Sequence, residues 1–122
     1  MKKNEMKIGN TVYFYNKSED EVCSGIIKRI FPFENSCIVK TDFMHLEKHC
    51  SKIYKTENEA YKEKDNWHKL QYTKYKSDIH NMEDLIKFMY ENLATSFEYI
   101  DEDARKVARD CAKELLGINL NY

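Results

Sequence analysis

Hydrophobic and polar positions change their period once along the chain, near residue 56. Before that point the apolar residues come in short runs rich in β-branched and aromatic types: "TVYFY" (11–15), "VCSGIIKRIF" (22–31), "CIVKTDF" (37–43) and "CSKIY" (50–54). Such runs predict four strands. The polar stretch "NKSEDE" and the Pro32-led "PFENS" supply turns, and the separations are too short for parallel crossovers, so the strands form an antiparallel meander. Gly25 predicts a bulge inside the second strand.

After residue 56 the spacing becomes helical. Thr56 and Glu59 make a Ser/Thr-x-x-Glu capping box, which predicts a helix running to about Tyr72. Ala60, Tyr61, Trp67 and Leu70 share no narrow stripe, so this helix is expected across the sheet or at a subunit contact, anchored by Trp67. "TKYKSDIHN" reads as a linker. A second helix, "MEDLIKFMYENLA", starts after Asn81 as N-cap, with Met82, Leu85, Ile86, Met89, Tyr90 and Leu93 as its apolar face. The third, "DARKVARDCAKELLG", starts after Asp101 and buries Ala104, Val107, Ala108, Cys111 and Leu115. Gly117 sits where a left-handed terminator is expected, with Ile118 as its apolar follower. The expected fold class is α+β: an N-terminal antiparallel sheet of about four strands, then about three helices. Residues 1–122 are expected to form a single domain, with 1–55 the sheet part and 56–122 the helical part.

Composition narrows the function classes. Of the 122 residues 42% are hydrophobic and 34% charged. One modest core is therefore available, and completion by oligomerisation is expected. The net charge of −1, from 20 basic and 21 acidic residues, lacks the basic excess of a protein that binds long nucleic acid. No apolar run approaches the length that spans a bilayer, roughly 20 residues. The start "MKKNEMKIGN" is basic but has no apolar run behind it. A soluble cytosolic protein with neither leader nor membrane partner is therefore expected. Cys23, Cys37, Cys50 and Cys111 fit no close-paired zinc pattern or disulfide framework, so free buried thiols are expected.

Candidate chemistry gathers on the last two helices. On a helical wheel centred on Ile86 and Leu93, Phe88 falls roughly 140° away from the apolar face, with Asn92 on the same flank and about 40° closer. An exposed ring beside an amide can stack on a base and hydrogen-bond its edge or its ribose. The plainer alternative is that Phe88 simply packs. On the third helix Arg105, Arg109 and Lys113 form one flank and Asp103, Asp110 and Glu114 the other. Arg105 and Arg109 border the apolar stripe, where a planar guanidinium can hold phosphate oxygens bidentately. Against this stands an ordinary surface ion pair between Glu102 and Arg105. Lys28 and Arg29, on opposite faces of the second strand, offer a third cationic spot that only one of them could complete; Arg29 is retained as the candidate.

Other signals are thin. The Glu of "HLEKH" (45–49) occupies neither the His-Glu-x-x-His position nor its inverted form. In a strand the two histidines would stand about 13 Å apart. No metal site is expected there. The chain has no glycine-rich phosphate loop, and four cysteines with four histidines permit a Cys–His pairing without specifying one. The acidic run Asp101–Asp103 suits a helix N-terminus. No catalytic residue and no cofactor are expected, and a binder rather than an enzyme is anticipated.

The layout of sheet then helices, with the segment "FMYENLATSFEYIDEDARKVARDCAKELLG", resembles the small phage anti-Thoeris sponge proteins. These sequester cyclic ADP-ribose isomers made by bacterial TIR-domain enzymes. The resemblance implies a host-cytoplasmic homo-oligomer, dimer or higher, that binds glycocyclic ADP-ribose at a pocket between subunits without cleaving it. Some members also take up small cyclic oligonucleotides. It also implies that Asn92 and Arg109 contact ribose and phosphate groups; Phe88, from its wheel position, is the candidate for the adenine. The ligand binders expected are thus Phe88, Asn92, Arg105, Arg109 and Arg29. The alternative is a small SH3-like β-barrel interaction protein that inhibits a host protein or binds nucleic acid.

Overall fold

A computed structural model describes residues 1–93 and 101–118, apart from the side chain of Leu93. The fold is α+β. Strands β1 (Thr11–Asn16), β2 (Glu21–Phe31), β3 (Ser36–Lys40) and β4 (His45–His49) form one antiparallel sheet in sequential order. Helices α1 (Glu57–Ser77), α2 (Met82–Leu93) and α3 (Glu102–Leu116) follow. The chain divides into two compact units, Met1–Asn66 and Trp67–Tyr122, with the division inside α1.

In the first unit, alternation along β1 to β3 places Val12, Phe14, Ile27, Cys37 and Val39 in one core with Met6, Cys50 and Ile53. The first two of the three reversals each use a polar residue in the left-handed region, Asp20 (φ 53°) and Asn35 (φ 53°). The short polar side chains of these types tolerate that conformation. Two details differ from the sequence reading. The fourth strand is His45–His49, not 50–54: Thr41 Oγ1 accepts Met44 N–H (3.2 Å) and closes the turn, so pairing with β3 starts at once from His45. Residues Cys50–Lys52 instead form a 3-10 turn, and Tyr54 bridges back to Tyr13 on β1 through two backbone hydrogen bonds of 2.9 and 2.8 Å. The free side of β1 is thereby partly covered, which is how small sheets avoid a bare edge.

The register shift of β2 falls between Ile27 and Arg29, so Lys28, not Gly25, is the extra residue. Gly25 has a different role. A Cβ there would stand 2.5 Å from Val39 Cγ1 and 2.8 Å from the Lys40 carbonyl oxygen, closer than packed atoms approach. The bulge also breaks strict alternation, and Lys28 and Arg29 are both exposed.

Helix α1 begins as expected, with Glu59 N–H donating to Thr56 Oγ1 (3.3 Å). This is the capping bond that satisfies an otherwise orphaned donor. Ala60 is fully buried. Tyr54 OH and Lys52 Nζ both reach Glu63, at 2.7 and 3.9 Å. The helix does not stop near Tyr72. It runs on to Ser77, because Tyr72, Tyr75 and, just beyond, Ile79 pack against the core of the second unit. Trp67 is half-buried.

That second core holds Leu85, Phe88, Ala104, Val107, Ala108, Cys111 and Ala112. Helix α2 is capped by Asn81, whose Oδ1 accepts Asp84 N–H (2.9 Å), but its buried side differs from the expected one. Leu85 and Phe88 point inward, while Met82, Ile86 and Tyr90 are 50%, 61% and 76% exposed. The helix is turned by roughly a third of a revolution from the phase that its apolar pattern suggests. The reason lies in α3, whose inward residues include Ala104, Ala108 and Ala112. Small residues leave room for a large one. The Phe88 ring fills that room, edge-on to Tyr75 with centroids 5.6 Å apart. Helix α3 starts at Asp101, which caps Asp103 and Ala104, and ends at left-handed Gly117 (φ 64°). Beyond it, Ile118 N–H donates to Ala112 O (3.4 Å), the bond that a left-handed terminator permits. Ala112 takes the buried place expected for Leu115, which is 41% exposed.

Candidate functional site

The two charged flanks of α3 meet different fates, both within the second unit. Each acidic residue is engaged by α1. His68 Nδ1 lies 2.6 Å from Asp103 Oδ2, Tyr72 OH donates to Asp110 Oδ2 at 2.5 Å, and Lys76 Nζ donates to Glu114 Oε1 at 3.1 Å. Tyr75 OH donates to the capping residue Asp101 (2.7 Å). Burial, then the carboxylate acceptor, raises the phenol of Tyr72, and the same two causes push Tyr75 up to about 12. His68, Tyr72 and Lys76 recur every four residues on one face of α1, a spacing the sequence displays. An expected helix end at Tyr72 hides it, since Lys76 then falls outside the helix.

The basic flank is left over. Arg105 donates from Nη1 to Glu102 Oε1 (3.0 Å), the expected ion pair, yet its Nε is buried with no hydrogen-bond partner among the described residues. The Arg105 side chain is 28% exposed against 73% for Glu102, so the guanidinium lies partly dehydrated. Arg109, one turn on, is half-buried and makes no ion pair with a described residue; Lys113 is exposed. A partly desolvated guanidinium with an unmet donor favours an oxyanion acceptor.

Phe88 does not offer the exposed ring that its wheel position suggests. It is 7% exposed and belongs to the core. Asn92 is half-buried and donates from Nδ2 to the Phe88 carbonyl one turn back (2.9 Å). The two do meet, on the wall of a depression of about 420 Å³ with Tyr75 and Lys74. Asp78, Asp84 and Glu91 also line it, and neither Arg105 nor Arg109 does. The ring and amide thus form one group and the arginines another. Arg29 belongs to the first unit, where its guanidinium carbon stands 4.9 Å from the Phe31 ring centroid.

Set against family models, curated proteins and solved structures, the chain matches none of them.

Two further sequence candidates are settled by their surroundings. "HLEKH" is β4, with His45, Glu47 and His49 along one face and Lys48 Nζ 4.7 Å from the Phe14 ring centroid on the other. Cys37, Cys50 and Cys111 are buried free thiols, and Cys23 is a half-buried one. Burial raises the Cys37 thiol, with neighbouring Cys50 adding to the effect, which leaves Cys37 in the unreactive protonated form near neutrality. Among the described residues no group of three or more His, Cys, Asp or Glu could hold a metal ion, and no helix is long and apolar enough to cross a membrane.

Proposed function

We propose that the protein is a nucleotide sponge. In the host cytoplasm it would bind a cyclic ADP-ribose-type messenger, glycocyclic ADP-ribose, as a homo-oligomer and without degrading it, so blocking Thoeris immunity. The observation that carries this reading is the asymmetry of α3: its acidic flank is consumed by His68, Tyr72 and Lys76, while Arg105 keeps a buried, unmet Nε beside half-buried Arg109. A pyrophosphate offers the paired oxygens such guanidinium groups accept. Asn92 supplies the ribose contact, and Phe88 enters only as the wall beside it.

Titration calorimetry with cyclic ADP-ribose isomers tests the proposal. Binding at micromolar protein is expected. Arg109→Ala should weaken it by about 1.5–3 kcal/mol, the scale of a hydrogen bond to a charged group. No heat with any isomer overturns the reading, and an unchanged affinity removes Arg109 from it. Ligand recovered intact after denaturing the complex separates a sponge from a hydrolase.

One observation favours a second reading, an interaction module carried by the first unit. The sheet is partly closed by Tyr54 on β1, in the manner of small barrels, and the turns before and after β3 display Phe33 and Phe43, 99% and 93% exposed. Retention of one host polypeptide that Phe43→Ala abolishes would support this reading over the sponge.

A further inference from the structure

Alternation along β1 and β2 puts two polar residues on the face of the sheet that carries the core. Asn16 continues the series Val12, Phe14, and its cross-strand partner Glu21 stands two residues before Cys23 on the same face. On β4, Leu46 packs against that core, and Met44 lies two residues before it. At this end of the sheet the core face opens as a hollow of about 460 Å³. Pockets for small molecules run from roughly 300 to 1,000 Å³. Phe14, Cys23 and Leu46 line the hollow from the strands, and Phe43 and Met44 add apolar surface from the turn between β3 and β4. The small side chain of Cys23, directly opposite Phe14, leaves this floor open.

The charges around the hollow have one sign. Glu19 and Glu21 stand on the side of the β1–β2 turn and Asp42 on the side of the β3–β4 turn. None of the three makes an ion pair with a described residue. Of the 20 basic residues in the chain, none lines the hollow. Two lysines come near without closing it: Lys48 Nζ rests 4.7 Å from the Phe14 ring centroid, and Lys64 acts on Glu21 through space. The Glu21 carboxyl is raised above its ordinary value, first by a hydrogen bond with Glu19 and then by that neighbour's charge, the mark of like charges held together.

We propose that this hollow binds an aliphatic polyamine, its ammonium groups on the carboxylates of the two turns and its methylenes along the apolar floor. The two turns are two strand spacings apart, about 10 Å, and the floor lies between them. A metal ion gains nothing from that floor, and an anion or a neutral apolar molecule leaves the carboxylates unmatched. A chain with cations at its ends and an apolar middle meets both. The exposed Phe43 ring adds the attraction of an aromatic face for an ammonium group.

The hollow lies within the first unit and uses none of Asn92, Arg105 or Arg109, so it stands apart from the sponge reading. Phe43 is common to the interaction-module reading and is left unchanged in the test. Calorimetry of the full chain with spermidine at about 0.15 M salt, where long-range attraction is screened, is the experiment. Saturable binding below millimolar ligand is expected. Glu21→Gln and Asp42→Asn, both at exposed positions, should each raise the dissociation constant about fivefold, the scale of one exposed ion pair. Cys23→Leu fills the floor and keeps every carboxylate, so it should abolish binding without lowering the thermal midpoint; Cys23→Val repeats the test with less bulk if the midpoint falls. No heat with spermidine overturns the proposal. So does displacement of spermidine by an equal concentration of magnesium ions, which marks a rim that collects any cation, or binding that the filled floor leaves intact. A lysine-rich peptide that binds more tightly than spermidine also overturns it, by making the hollow a peptide site. Calorimetric silence toward cyclic ADP-ribose isomers would leave all of these outcomes intact.

Discussion

Replacing Phe88 by Ala tests the phase of α2 directly. The ring is 7% exposed, packs among Leu85, Ala104, Val107, Ala108 and Cys111, and meets Tyr75 edge-on at 5.6 Å and 65°. Removing a buried phenylalanine costs about 3–5 kcal/mol through lost transfer energy and the cavity left behind. The alanines of α3 cannot grow into that cavity, and the edge-on ring pair adds about 0.5–1.5 kcal/mol, so the upper half of the range applies. A unit of this size holds only several kcal/mol in all, at about 0.05–0.15 kcal/mol per residue. The substitution should therefore bring the second unit close to unfolding at room temperature. Urea titration followed by fluorescence of Trp67, the single tryptophan, reads that unit. Ile86→Ala is the control, because that side chain is 61% exposed. It should cost less than about 1 kcal/mol, measured at protein concentrations low enough to dissociate any dimer. The apolar pattern taken alone demands the opposite ranking, with Ile86 inside. A Phe88→Ala loss smaller than that of Ile86→Ala would refute the packing described above.

Further outcomes follow from the same contacts. Gly25→Ala should destabilise the first unit by about 1–3 kcal/mol, the scale of an overpacked site. Its methyl would collide with Val39 and with the Lys40 backbone, and an unchanged thermal midpoint would contradict the close approach of β2 and β3. Asp101→Ala removes the α3 cap and the acceptor of Tyr75 OH together. Its cost in urea should be about 1–2 kcal/mol, and Asp101→Asn should recover the cap. Tyr72 and Tyr75 hold their protons more tightly folded than unfolded. Their contribution is complete below about pH 10, the phenol value in an unfolded chain, and is lost as pH rises through the raised folded values. Stability of the second unit should fall steeply above that pH, and less steeply in Tyr72→Phe. Tyrosinate absorbance in the folded protein should show late titration that this variant reduces.

The order of elements was legible because it rests on local chemistry. The first three β-branched runs, the polar reversals after them and the caps at Thr56, Asn81, Asp101 and Gly117 act within a few residues of themselves, and each is met in the structure. What lies across the chain was not legible. The fourth strand moved to His45–His49 because pairing with β3 and the Thr41 turn, not apolar content, select the register. Helix α1 outran its pattern to Ser77 because tyrosines on its last turns pack on a distant core. The candidate site divides in the same way. Segregation of charge on α3 is a property of spacing, visible in the sequence. Which flank remains available depends on His68, Tyr72 and Lys76 reaching Asp103, Asp110 and Glu114, partners far along the chain.

The sequence by itself determined where helices and most strands begin, the α+β order and the two charged flanks of α3. Tertiary structure alone decided which side of α2 goes inside. Two apolar faces compete on that helix, and the periodic one contains Ile86 while the buried one contains Phe88. Periodicity counts apolar residues but carries no information on the shape of the surface they must fill. The small alanines of α3 leave room on that surface, and the buried Phe88 ring takes its place in the same core.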